Sequence, residues 1–277
     1  MNNTHPRLQI SFWLKALLCS VLFTLLLIGF NFLKSFFPAS AERWAHGILG
    51  SVAAVIATFV FIRLDRSSFK TAGLVPDQGS PGRFLVGFFI GIGLMGLLTA
   101  GVIFGSGFMV EMNPRSTVLH FLVATLPLIP LAWMEEAGFR AYPYQQLEKG
   151  YGALPAIFIS ALLFGAYHLA NGWTFQAAFL GAGVWGLVFG LARAWSKGIA
   201  LPTGMHYAAN LTTSAFGVSE QSSSPFILYH PSVGHGMEQY KSSEWEILLP
   251  QLILMVLALL FIGIYLRYKG NSAGRDN

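Results

Sequence analysis

The sequence predicts an all-α fold: a polytopic membrane bundle of about eight transmembrane helices, both termini cytoplasmic, forming a single integral membrane domain over residues 1–277. Three observations carry the prediction. Hydrophobic residues make up 54% of the 277-residue chain and charged residues only 10%, a balance outside that of soluble globular domains. The apolar residues fall in runs near the roughly 20 residues that a bilayer core requires. Lys and Arg are distributed unevenly between alternate connections, as the positive-inside rule demands.

The runs are placed at about 12–33, 45–62, 84–105, 117–138, 153–170, 175–195, 200–216 and 247–267. The first follows Arg7 and contains Lys15, a pattern that resembles a signal peptide. Its length and lack of a small-residue cleavage pattern favour a retained anchor. With both termini inside, only Lys34, Arg43, Arg115 and Lys241 among the 17 Lys and Arg residues lie outside. That asymmetry accounts for the net charge of +5 through topology, and no basic stripe with interleaved aromatics points to nucleic acid. Cys19 is the single cysteine, so an intrachain disulfide and zinc-ribbon spacing are both excluded.

The first two spans read as packing helices. A polar connector from Arg63 to Arg83 leads into a glycine-rich third span, where Gly87, Gly91, Gly93 and Gly96 are expected to allow close helix approach. The segment at about 217–246 is serine-rich and reads as an exposed loop, in which His230 and His235 are ordinary loop histidines.

Chemistry concentrates in three later places. Glu135 and Glu136 adjoin at the end of VATLPLIPLAWMEEAGFR, where each carboxylate costs roughly 2.5–3.5 kcal/mol on insertion scales. Glu136 and Arg140 share a helix face at i,i+4 and can neutralise each other, which leaves Glu135 without a local partner. Glu135 is therefore the candidate for catalysis, and Glu136 with Arg140 the candidate for support. His168 closes Phe164-Gly-Ala-Tyr-His168 late in the fifth span, and His206 and Asn210 stack one turn apart early in the seventh.

Helical rise tests whether these groups can meet. If spans four and five turn near Gly150, Glu135 and His168 lie roughly 22 and 27 Å from the turn. His206 lies roughly 12 Å beyond Gly198. The three depths agree if the four–five hairpin projects about 10 Å into the cytoplasm, where the polar run Gln145, Gln146, Glu148, Lys149 would fall. The cavity so inferred is intramembrane and nearer the cytoplasmic face.

A glutamate, two histidines and an asparagine in such a cavity suit hydrolysis. Glutamate can act as general base on water, histidine can orient that water or donate a proton, and histidine with asparagine can stabilise an oxyanion. Glu135, His168 and His206 could instead hold a divalent metal such as zinc that activates the water. An aspartyl dyad is excluded, because Asp65, Asp77 and Asp276 all fall in connections or tail; no His-Glu-x-x-His and no nucleophile elbow occurs. A transporter relaying protons through glutamate and histidine is disfavoured, because Asn210 on the His206 face suits an oxyanion site better than a proton path.

The ordered trio Glu-Glu-x-x-x-Arg at 135–140, Phe-x-x-x-His at 164–168 and His-x-x-x-Asn at 206–210 resembles the motifs of the CAAX prenyl endopeptidase and bacteriocin-processing (CPBP, Abi) family of intramembrane proteases. The match in order and spacing covers a core of residues 117–216. The resemblance implies that Glu135 activates water, His168 assists, and His206 with Asn210 forms the oxyanion pocket, with Glu136, Arg140 and Phe164 supporting. It implies a membrane-associated protein or peptide substrate, lipidated in some relatives, a site bathed by membrane lipids, and a multi-pass location in a bacterial cytoplasmic membrane. Use of a metal is left open. Arg140 is followed by Ala141, where many relatives carry glycine. A non-catalytic scaffold or bacteriocin self-immunity protein on the same fold is the alternative reading.

Overall fold

The computed structural model describes residues 11–34, 36–217, 223–231, 234–235 and 244–273. Arg7, Lys241 and Asp276, weighed above, lie outside the described residues, as does the side chain of His235. The chain is a bundle of α-helices: α1 Phe12–Lys34, α2 Glu42–Leu64, α3 Ser80–Ser106, α4 Val118–Thr125, α5 Leu128–Arg140, α6 Tyr142–Tyr151, α7 Ala153–Ala170, α8 Val184–Ser196, α9 Ala200–Ala215 and α10 Glu244–Ala273. A π-helical turn, Ala177–Gly183, leads into α8.

Among the described residues, seven helical stretches are long and apolar enough to cross a membrane. They coincide with seven of the eight expected spans. The eighth, expected at 200–216, is α9, whose 16 residues fall short of that length. The outward faces agree with a lipid surround, since Phe32 and Phe104 stand almost fully exposed on α1 and α3. In water such a surface would be an aggregation liability.

The expected fourth span is broken. Pro127 has no N–H to continue the helical ladder, so α4 stops at Thr125 and α5 begins at Leu128. α5 ends at Arg140 and, after Ala141, gives way to α6 with Pro143 in its first turn. The polar run expected in the projecting hairpin falls on this helix, with Lys149 exposed and the rest packed to differing degrees. Gln146 is buried, and Gly150 closes against the ring of Phe12. Tyr142 donates to Asp65 at 2.7 Å and Lys15 pairs with the same carboxylate at 2.7 Å, so one acid ties α1, α2 and α6 together. Gly152, at φ +85°, supplies the left-handed corner between α6 and α7.

Two helix seams position the site. Along α2 and α5, a Cβ on Gly47 would meet Pro130 and Leu131, and one on Gly50 would strike Met134. Along α3 and α9, Gly87 faces Leu201, Gly91 faces Met205 and Ala208, and Gly204 answers from α9 against Phe84. Small residues permit this approach, and dispersion holds it. Of the four glycines expected to do so in α3, Gly93 and Gly96 face open space and take no part.

The structure adds a feature the sequence hid. The segment expected as a serine-rich loop contains β2, Phe226–His230, which pairs antiparallel with β1, Met109–Met112, in register Met109 to Tyr229 and Met112 to Phe226. A short β3, Gly234–His235, completes a three-stranded sheet. Asn113 and Ser116 extend the junction by donating to the carbonyls of Ser224 (2.8 Å) and Ser223 (2.6 Å). β1 follows α3 and β2 follows α9, so these helices are joined along their seam and again beyond it.

Candidate active site

α5, α7, α8 and α9 converge on the motif residues. The i,i+4 spacing of Glu136 and Arg140 gives the expected pair: Nη1 approaches Oε1 at 3.5 Å, and both side chains are fully buried. This is an ion pair without a formed hydrogen bond, because Nη1 has no hydrogen-bond partner among the described residues. The guanidinium is instead held by the Gly186 carbonyl, which accepts from Nη2 at 3.3 Å, and by the Phe164 ring, whose centroid lies 4.2 Å from Cζ. A buried cation over an aromatic face gains from the ring quadrupole where water cannot compete.

Glu136 has a second partner. His206 Nδ1 lies 2.9 Å from Glu136 Oε1, and its Nε2 lies 3.5 Å from Glu135 Oε2. A carboxylate only accepts, so Nδ1 carries the hydrogen in that bond. Phe189 stacks on the imidazole at 4.6 Å and an interplanar angle of 16°, while Phe164 meets it edge-on at 5.9 Å. The ring is thus fixed in plane, in tilt and in tautomer.

His168 is set by the same logic. The Phe164 carbonyl accepts from its Nδ1 at 2.9 Å, leaving Nε2 as the free ring nitrogen. The rings of Phe164, Tyr167 and Trp173 enclose it at 4.5, 5.1 and 4.6 Å. Asn210 lies one helical turn beyond His206 on α9 and is half-buried.

The structure therefore gathers Glu135, Glu136, Arg140, Phe164 and His206 into one cluster, joins His168 to it through Phe164, and sets Asn210 a turn away. Glu135 lacks a local partner, as expected, and finds tertiary ones instead. Besides His206 it interacts with Tyr167, whose buried hydroxyl also engages Asn171. Sequence reasoning missed Tyr167, although it sits inside the Phe164–His168 motif. It also missed Phe189, for which the sequence holds no signal.

In depth, His206 lies about 9 Å along α9 from Ala200. Met134, beside Glu135, packs on Gly50, about 12 Å along α2 from Glu42. The site is well inside the bundle.

Among the described residues, no three His, Cys, Asp or Glu side chains stand together so as to hold a metal ion. The set conditionally expected from sequence, Glu135, His168 and His206, is not assembled as ligands. His168 turns Nδ1 to a carbonyl, and His206 presents its two nitrogens to two different carboxylates.

Among the described residues, seven helical stretches of membrane-crossing length around an interior carboxylate–histidine cluster point to an integral membrane protein. Residues 114–212 match the family described as type II CAAX prenyl endopeptidase Rce1-like, in agreement with the resemblance read from the three motifs. The matched segment contains every one of those motifs. No curated protein matches the chain.

Proposed function

We propose that the protein is an intramembrane endopeptidase that hydrolyses a peptide bond in a membrane-associated protein or peptide. Glu135 takes a proton from water, the resulting hydroxide adds to the scissile carbonyl carbon, and the carbonyl π electrons pass to oxygen. As the tetrahedral species collapses, the C–N bond breaks and Glu135 returns its proton to the leaving amine. His168 holds the attacking water through Nε2, and His206 with Asn210 receives the developing oxyanion. Because Glu136 accepts the Nδ1 hydrogen of His206, the ring can offer a second hydrogen to the oxyanion only as the imidazolium. Arg140 and Phe164 hold Glu136 and the two imidazoles in place. No step passes through a metal, because among the described residues the donors do not converge.

The single observation that carries this reading is the placement of His206 between Glu136 at 2.9 Å and Glu135 at 3.5 Å, which aims an oriented imidazole at the candidate base. The Rce1-like match over the same residues supports a CAAX-type protease with a membrane-associated substrate. The test compares membrane peptides from cells expressing wild type or Glu135→Gln at equal levels, by mass spectrometry of new C-termini. A product formed only by wild type is expected. Identical profiles, with any cellular phenotype retained by the variant, would establish the scaffold or self-immunity reading instead.

A further inference from the structure

Arg193 sits in the last turn of α8, outside the three motifs, where the positive-inside pattern would make it one more cytoplasmic charge. The structure buries it instead, at 3% exposure. Its Cζ lies 5.2 Å from the centroid of the Tyr144 ring on α6, and a Cβ on Gly73 in the α2–α3 connection would come within 3.1 Å of Nη2. Among the described residues it forms no ion pair, because Glu148, the acid of α6, is taken by Lys197 at 2.7 Å. A buried cation without a counterion is costly, and a topological role alone does not call for one.

What this side chain holds is the end of α5. Nε donates to the Arg140 carbonyl at 2.8 Å, at the C-terminus of the helix that carries both glutamates. Carbonyls at a helix C-terminus lack intrahelical partners, and a guanidinium serves them both as donor and as a charge against the helix dipole. The hold is reciprocal. Arg140 sends its own Nη2 to the Gly186 carbonyl of α8 at 3.3 Å, so each arginine donates to the backbone of the other's helix. Gly186 leaves the room for this, since a Cβ there would sit 3.1 Å from Nη2 of Arg140 and 2.9 Å from Cα of Ala161.

The two bonds bracket the site. Gly186 and Arg193 are two turns apart on one face of α8, and Phe189, which stacks on His206, stands on that face between them. The reach of α5 along α8 therefore decides whether Glu136 meets the imidazole that Phe189 supports. We propose that Arg193 is a positioning residue for the site: its bond to the Arg140 carbonyl fixes the register of α5 against α8, and so brings Glu136 to Nδ1 and Glu135 to Nε2 of His206. It acts through α5 and not on the reacting atoms. The role rests on the hydrolytic reading of the site.

The test separates the hydrogen bond from charge and packing. Arg193→Met keeps an unbranched side chain and removes the donor, whereas Arg193→Gln restores an N–H near the place of Nε without the charge. Replacing a buried charge by an apolar side chain is often neutral for stability, so both variants should elute and melt as the wild type does. On a peptide identified by the membrane comparison, Arg193→Met should lower kcat by about tenfold or more with KM within about twofold, and Arg193→Gln should recover most of the loss. Nuclear magnetic resonance of protein labelled with nitrogen-15 histidine reads the same register without a substrate. The Nδ1 resonance of His206, identified by its absence from His206→Gln, should move in Arg193→Met and return in Arg193→Gln. A resonance unmoved in Arg193→Met, a raised KM with kcat unchanged, or an Arg193→Gln variant as impaired as Arg193→Met would each overturn the proposal. If Arg193→Met fails to fold, Arg193→Leu takes its place, and loss of folding in both would assign Arg193 to stability and overturn the positioning role. If the wild type cuts no peptide, the hydrolytic reading fails, while the His206 resonance still judges the register on its own.

Discussion

His206 and Glu136 are joined by a polar contact from Nδ1 to Oε1 at 2.9 Å, across 70 residues of sequence, with the carboxylate fully buried. This makes Glu136 the residue that positions the imidazole, while the same oxygen lies 3.5 Å from Arg140. One carboxylate thus serves two helices.

Replacing Glu136 separates its two roles. Glu136→Ala leaves Arg140 buried without its nearest counterion, and removing one partner of such a pair costs roughly 3–5 kcal/mol, so the variant should lose thermal stability sharply. Glu136→Gln keeps an acceptor for Nδ1 but loses the negative charge. It keeps an acceptor near the guanidinium as well, so it should lose less stability than Glu136→Ala, and it should lower kcat by about 10²-fold through misplacement of His206, with KM little changed. Steady-state kinetics on detergent-solubilised protein, with thermal melts alongside, separate the two.

Tyr167→Phe removes only a hydroxyl. The ring keeps its contacts with Phe23 at 5.9 Å and Phe139 at 5.2 Å, so folding should be unaffected. What is lost is the interaction with Glu135. Loss of that interaction should lower kcat through a less well-held Glu135, while the packing of the ring keeps the melting temperature near wild type.

The α3–α9 seam gives a matched pair of substitutions. A Cβ on Gly91 would sit 2.8 Å from that of Ala208, whereas Gly96 faces open space. Gly91→Leu should force α9 away from α3, costing on the order of 1–3 kcal/mol or more and displacing His206. Gly96→Leu should leave both melting temperature and activity near wild type.

Chelation tests the donor geometry. Because Glu135, His168 and His206 do not converge, incubation with 1,10-phenanthroline or EDTA should leave proteolysis intact. Loss of activity that returns stoichiometrically with added zinc would show that the side chains regroup around a metal.

Much of this was legible from residue order alone. Apolar length located the seven described stretches long enough to cross a membrane, and i,i+4 spacing found Glu136 with Arg140 because both lie on one helix. The partner that orients His206 was not legible, since helices far apart in sequence meet only after packing. Tyr167 passed as an aromatic core residue, because its polar tip reveals itself only when Glu135 is placed beside it. The sheet escaped because β1 and β2 are each five residues or fewer and recruit each other from distant segments. The α4–α5 break could have been read from Pro127, whose missing N–H is visible in the sequence itself.

The glycine seam and the β1–β2 pairing together make α3 and α9 two sides of a closed frame, fastened at mid-length and at one end. α5 has no such fastening along the chain, being cut off at Pro127 on one side and Ala141 on the other, and it is seated mainly on α2. His206 is therefore carried by the frame and Glu135 by a short lever beside it. The Glu136–His206 bond bridges the two, so a displacement of α5 against the frame would register first at that one contact.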